Sequence, residues 1–186
     1  VILACGGFEN NAEMRAQYQR APIGTEWTTG AAGNTGDGIR AALDVGADVK
    51  LMDDAWWGPT IPLPKGPWFA LSERSVPGTF IVNLRGERFM NEALPYVEAV
   101  HQMYGGDYGQ GEGPGENVPS WMIMDTRCRN RYLFAGITAR QPIPKSWFES
   151  GVVVKADSIT ELADKIGLPA DRLVATTERF NGFART

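Results

Sequence analysis

The chain has 186 residues, 43% apolar and 10% aromatic, enough to bury a core of ordinary domain size. A net charge of -4, a pI near 5.1 and the lack of any basic patch exclude a binder that works by neutralising nucleic-acid phosphates. A single histidine, His101, excludes a metal site built on imidazoles and carries little site signal of its own.

Residues 1–5 read as a short buried strand that opens on Val1 rather than Met, with Cys5 as a reduced, buried thiol inside it. Cys5 and Cys128 lie far apart and form neither a CxxC pair nor a ligand cluster. Gly6-Gly7 then permits a tight turn. Asn10 or Asn11 can cap a helix reaching about Arg20, and Pro22 and Gly24 open a loop. Asn34 or Thr35 can cap a second helix through Ile39, Ala42 and Leu43, with Gly46 as its stop. Residues 48–52 read as a second strand.

The composition then changes. Trp56-Trp-Gly-Pro-Thr-Ile-Pro-Leu-Pro64 is a stiff aromatic and proline-rich connection, and a domain boundary is expected there. A β-hairpin pattern covers residues 69–90, and a helix opened by Pro95 follows, with Tyr96 in its first turn. Residues 105–115 contain six glycines and read as a mobile loop or lid. Residues 120–124 read as a strand, Asp125 as the cap of a helix to Leu133, and residues 151–154 as a short strand or extended chain. Ser158-Ile-Thr-Glu161 has the capping-box pattern of a helix ended by Gly167; Pro169 begins the next, and Asn181-Gly182 is expected to stop it. Both ends break off without tail-like composition, so the chain is expected to be the interior of a larger protein. No apolar run is long enough to span a bilayer and nothing requires export, so a cytoplasmic location is expected.

Three motifs carry chemistry. Ala4-Cys-Gly-Gly-Phe8 can bring bare backbone N–H groups to a phosphate or ring edge, though glycine pairs after strands are common. Gly33-Asn-Thr-Gly-Asp-Gly38 opens a helix whose N-terminus favours an anion, and it equally suits a capped helix with no ligand. Tyr96 is a phenol just past a strand and turn. A phenol titrates near 10 and is a poor base at neutral pH unless its anion is stabilised, so packing competes with catalysis there. Arg88 and Glu92 read as a surface ion pair of little consequence.

In order, Leu3-Ala-Cys-Gly-Gly-Phe8, Asn34-Thr-Gly-Asp-Gly38, Glu73-Arg-Ser-Val-Pro-Gly78 and Gly86-Glu-Arg-Phe-Met-Asn-Glu92 resemble the FAD-dependent family of fumarate reductases and 3-ketosteroid dehydrogenases. Trp147-Phe-Glu-Ser-Gly-Val-Val153 and Arg179-Phe-Asn-Gly182 extend the resemblance over nearly the whole chain, which looks most similar to the 3-ketosteroid Δ1-dehydrogenases. The resemblance implies an α+β fold: an inserted catalytic (cap) domain of a two-domain flavoprotein plus an edge of its α/β FAD-binding domain. Residues 1–55 would be the C-terminal part of the first FAD-domain segment, and residues 56–186 an incomplete catalytic domain. The GxGxxG turn that grips the FAD pyrophosphate and the returning FAD-domain segment are missing from this sequence. The chain's partners would be those segments of the same parent and a steroid or other apolar ketone.

By the same resemblance the cofactor is FAD, contacted by Ala4, Gly6, Gly7, Phe8, Asn34, Thr35, Gly36 and Asp37. Fumarate reductases carry an arginine where this sequence has Tyr96, as the ketosteroid dehydrogenases do. The implied reaction is desaturation of a ketone, in which donors to the C3 carbonyl acidify C2, Tyr96 removes the C2 proton and the C1 hydride passes to flavin N5. Trp56, Trp57 and Trp68 would line the steroid channel or pack between domains. A Δ4-type ketosteroid dehydrogenase, another fumarate-reductase-like flavoprotein, and a non-catalytic cap that binds an apolar ligand are the alternatives.

Overall fold

Side-chain caps start three of the seven α-helices in the computed structural model, which describes residues 2–185. Asn11 accepts from the Met14 N–H at 3.0 Å and opens α1 (Ala12–Tyr18). Asp125 does the same for Cys128 N–H at 2.6 Å and opens α4 (Thr126–Arg131). Ser158 caps α6 (Ile159–Ile166) through the Glu161 N–H, and Gly167, at φ 71°, ends it. The Glu161 carboxylate reaches back to the Asp157 N–H at 2.9 Å, one residue earlier than a capping box requires. α2 (Asp37–Asp44) departs from expectation. Its N-cap is Gly36 at φ 82° with no side-chain cap: Asn34 turns to Glu9 and the Thr35 side chain bonds the Asp37 carboxylate.

The strands are short. β1 (Thr60–Ile61) pairs antiparallel with β2 (Trp68–Phe69), and β3 (Thr79–Val82) with β4 (Trp121–Met124), Phe80 lying opposite Ile123. The hairpin expected over residues 69–90 is reduced to a single bridge, Val82 to Arg88, since β3 takes β4 as its partner. Along β3 the side chains alternate between two faces. Phe80 and Val82, with Ile123, pack on Ala163, Leu168 and Leu173 of α6, the turn after it and α7 (Ala170–Phe183). Ile81 turns the other way, onto Met90 and Ala99 of α3 (Tyr96–Tyr104). A third cluster joins Phe134, Ala135 and Ile137 to Trp147 of α5 (Lys145–Glu149). The sheet thus carries α3, and Tyr96 at its start, on the face opposite α6 and α7.

Three expectations fail on non-local grounds. Residues 2–5 form no strand, Ile2 is 93% exposed and Cys5 is an exposed free thiol; no other strand among the described residues pairs with this segment (Val1 lies outside them). Residues 48–52 are likewise not a strand, and Leu51 sits exposed at φ 55°. α7 runs through Asn181-Gly182 to Phe183: a helix-interior glycine costs only about 1 kcal/mol, too little to stop a helix anchored through Ala170, Leu173 and Phe180 in the core.

Candidate active site

The two glycine motifs meet. Gly36 N–H donates to the Gly7 carbonyl at 2.9 Å, Asn10 N–H to the Asn34 carbonyl at 3.0 Å, and the Asn34 amide to Glu9 Oε1 at 2.5 Å. Gly6 has φ 85°, and a Cβ there would fall on the Asn34 side chain, so this close approach requires glycine. Gly36 is buried against Met14 and Phe8, whereas Ala4 and Asp37 are exposed. The Asp37 carboxyl is held below its usual range first by the Arg40 guanidinium, 2.6 Å away, and then by Thr35. Phe8 packs edge-on against Tyr18, centroids 5.9 Å apart.

Gly7 and Phe8 open onto a cavity of about 570 Å³ whose far wall is Trp56, Trp57, Gly58 and Phe69. Phe69 fills the space where a side chain at Gly58 would stand. It also meets the Tyr96 ring edge-to-face, centroids 5.6 Å apart. Tyr96 is 37% exposed and does not line the cavity itself; Phe69 is the side chain between the two. Trp56, 93% exposed, and Trp57 both border this cavity. Trp68 does not: its indole N–H donates to buried Glu73 at 2.8 Å, and Glu73 also accepts from the Ala135 N–H at 3.1 Å. A second cavity of about 890 Å³ runs along β4; neither Tyr96 nor any of the residues expected to contact FAD lines it.

The segment leading into Tyr96 is pinned from inside. Glu92 is 5% exposed and its carboxylate accepts from the Ile81 N–H at 2.9 Å and from Arg88 at 2.6–3.2 Å. The pair read as superficial is therefore buried on the Glu92 side. Those bonds raise the Arg88 pKa. Buried Arg74 donates to the carbonyls of Glu92 and, at 2.6 Å, Leu94, and burial lowers its pKa despite the nearby Glu92 charge. Pro95 then sets the helix entry.

His101, five residues after Tyr96 on α3, reaches Asp54 Oδ1 at 3.0 Å. The same oxygen accepts from the Trp57 indole and the Ala55 N–H, both at 2.8 Å. Burial opposes the Asp54 charge, but the bonds from His101, Ala55 and Trp57 outweigh it and hold the carboxyl below its usual range. His101 thereby ties the cavity wall to the helix of Tyr96. Its only sequence signal was being the sole histidine.

The FAD binding domain family profile matches residues 1–186. The chain belongs to the FAD binding domain family. FAD is the cofactor of this family. The Gly6-Gly7 turn stands beside the cavity through Gly7, while Gly36 is buried behind it and bonded to Gly7. The chain is 65% identical over its full length to a 3-oxosteroid 1-dehydrogenase of Mycobacterium tuberculosis, of which it covers 33%. It is 32% identical to a 4-oxocyclohexanecarboxylate 2-dehydrogenase of Sinomonas cyclohexanicum, covering all of this chain and 32% of that protein. The crystal structure of a 3-ketosteroid delta1-dehydrogenase from Sterolibacterium denitrificans in complex with 1,4-androstadiene-3,17-dione superposes with a TM-score of 0.85 at 37% identity, over 97% of this chain and 32% of that one. The chain thus spans about a third of the length of these relatives. Among the described residues no helix is long and apolar enough to cross a membrane.

Proposed function

We propose that this chain is part of a cytoplasmic flavin-dependent oxidoreductase that introduces a 1,2 double bond into a 3-ketosteroid, with Tyr96 as the base. The observation that carries the reading is the edge-to-face pair of Tyr96 with Phe69, which sets the phenol beside the wall of the cavity that Gly7 and Phe8 also line. The relatives' names and the steroid in the neighbouring crystal structure support the substrate class. Residues 1–55 would belong to the FAD-binding domain and residues 56–186 to an inserted catalytic cap, both completed by further segments of the parent chain.

In this scheme Ala4, Gly6, Gly7, Phe8 and Asn34 through Asp37 would face the cofactor, the glycines among them leaving the backbone open to close approach. FAD, when bound, accepts the hydride that leaves C1. Tyr96, as its phenolate, would take the C2 proton and become the neutral phenol, and the electrons of that C–H bond would become the new C1=C2 bond. Phe69, Trp56 and Trp57 supply apolar surface on one side of the cavity, where a steroid ring system would lie, and Glu9, Arg15 and Asp54 supply its polar part. The pinned turn at Glu92 and Leu94 keeps the phenol from drifting, which matters because small misplacements of a reacting group cost large factors in rate.

The test is Tyr96→Phe in the full-length parent. The variant is expected to keep its flavin spectrum while anaerobic bleaching by a 3-ketosteroid slows by about 10²–10⁴-fold. Bleaching at the unsubstituted rate would remove Tyr96 as the base. A product unsaturated at another ring position would overturn the 1,2 assignment.

A further inference from the structure

The glycine-rich loop is closed around a guanidinium. Arg20, just after α1, donates from Nε to the Gly113 carbonyl at 2.8 Å. Its Nη1 donates to the carbonyls of Gly105 and Gly109 at 3.0 and 3.1 Å. Nη2 reaches those of Pro114 and Glu112 at 3.2 and 3.5 Å. A guanidinium has five N–H donors in a fixed planar fork, and here each finds a carbonyl from one loop. Such convergence needs a backbone that turns repeatedly through positive φ, as Gly105, Gly106, Gly109, Gly111 and Gly113 do. A Cβ on Gly111 would stand 3.2 Å from Nη1, so the glycines also make room for the key itself.

The closed loop touches what lies beneath it. Gly109 packs on His101, and the Tyr108 ring meets the imidazole edge-on with centroids 6.2 Å apart. Two more bonds run beside the guanidinium: Gly115 N–H to the Ala21 carbonyl at 2.7 Å, and Tyr104 hydroxyl to the Pro22 carbonyl at 2.6 Å. Residues 20–22 thus hold both the loop and the C-terminal end of α3.

We infer that residues 105–115 are a strap that Arg20 keys shut, fixing α3 against the glycine-motif segment and shielding the His101–Asp54 contact from water. The strap is a conformational device: with the key in place the C-terminal end of the helix carrying Tyr96 is covered and clasped, and with the key withdrawn that end keeps its own bonds to Asp54, Pro22 and Asn117. Lysine cannot replace the key, because three donors on a point charge do not reach five carbonyls in a plane. The inference stands on geometry alone; only its bearing on turnover rests on the steroid reading.

The experiment is amide hydrogen exchange on the full-length parent, comparing wild type with Arg20→Ala and Arg20→Lys. Exchange in residues 105–115 and in the last turn of α3 is expected to rise about tenfold or more in both variants, while α6 and α7 keep their protection. Low-millimolar methylguanidinium is expected to restore protection to Arg20→Ala, and methylammonium is not. Unchanged loop exchange in both variants, or equal rescue by the two cations, overturns the strap. The exchange readout needs no turnover, so it stands even if the steroid assay fails. If Arg20→Ala does not fold, Arg20→Lys decides by the same measure.

Discussion

Replacing Glu92 by alanine should reveal how much of the Tyr96 turn rests on one carboxylate. In the native chain that carboxylate is 5% exposed and holds the Ile81 N–H at 2.9 Å and the Arg88 guanidinium at 2.6 Å. The variant leaves Ile81 with a buried donor and no acceptor, a loss of about 1–3 kcal/mol. Arg88 keeps 27% of its side chain in water and can rehydrate, so its share is smaller, about 1 kcal/mol. Together the loss is about 3 kcal/mol, or roughly 6–12 °C in Tm for a chain of this size. Glu92→Gln, which keeps one oxygen for Ile81 and loses the charge, should give about half of that. Urea unfolding followed by tryptophan fluorescence measures both. A loss below about 1 kcal/mol for Glu92→Ala would show that the turn is held without the carboxylate, and the reasoning would fail.

Asp54 gives a pH prediction with a definite sign. Its folded-state pKa lies below the unfolded value, so its contribution is complete above about pH 4 and fades as the pH falls through the lower folded value. The stability difference between wild type and Asp54→Asn should therefore shrink in acid; a difference that stays constant from neutral pH into that range would contradict the assignment. Leu173→Ala removes a fully buried side chain between Phe80, Val82 and α6 and should destabilise by about 3–4 kcal/mol in thermal unfolding. A loss under about 1 kcal/mol would mean that α7 is not anchored there.

What could be read from the sequence was what a single turn of chain decides. The caps at Asn11, Asp125 and Ser158, the stops at Gly46 and Gly167 and the helix entry at Pro95 each need only neighbours a few residues away. Strands at residues 2–5 and 48–52 were misread because a strand exists only through a partner, and apolar alternation does not name one. The Arg88–Glu92 spacing announced an ion pair and said nothing of its burial, which is set by the N–H of Ile81 eleven residues earlier. Residues 105–115 have one composition whether loose or clasped, and the residue that clasps them, Arg20, lies 85–94 positions away from the carbonyls it holds. Phe69 was invisible as a bridge to Tyr96 for the same reason: 27 residues separate them, and nothing local in either stretch points to the other.

Because the Glu92 carboxylate occupies the Ile81 N–H and Arg88 bridges Val82, the outer side of β3 is sealed by its own returning chain. β4 has no such cover: among the described residues its backbone bonds only to β3. The two rims of this small sheet are therefore unequal. One is covered by residues 88–92, and the other, among the described residues, has no strand beside it and borders the larger cavity, so any added strand would have to come in on the β4 side.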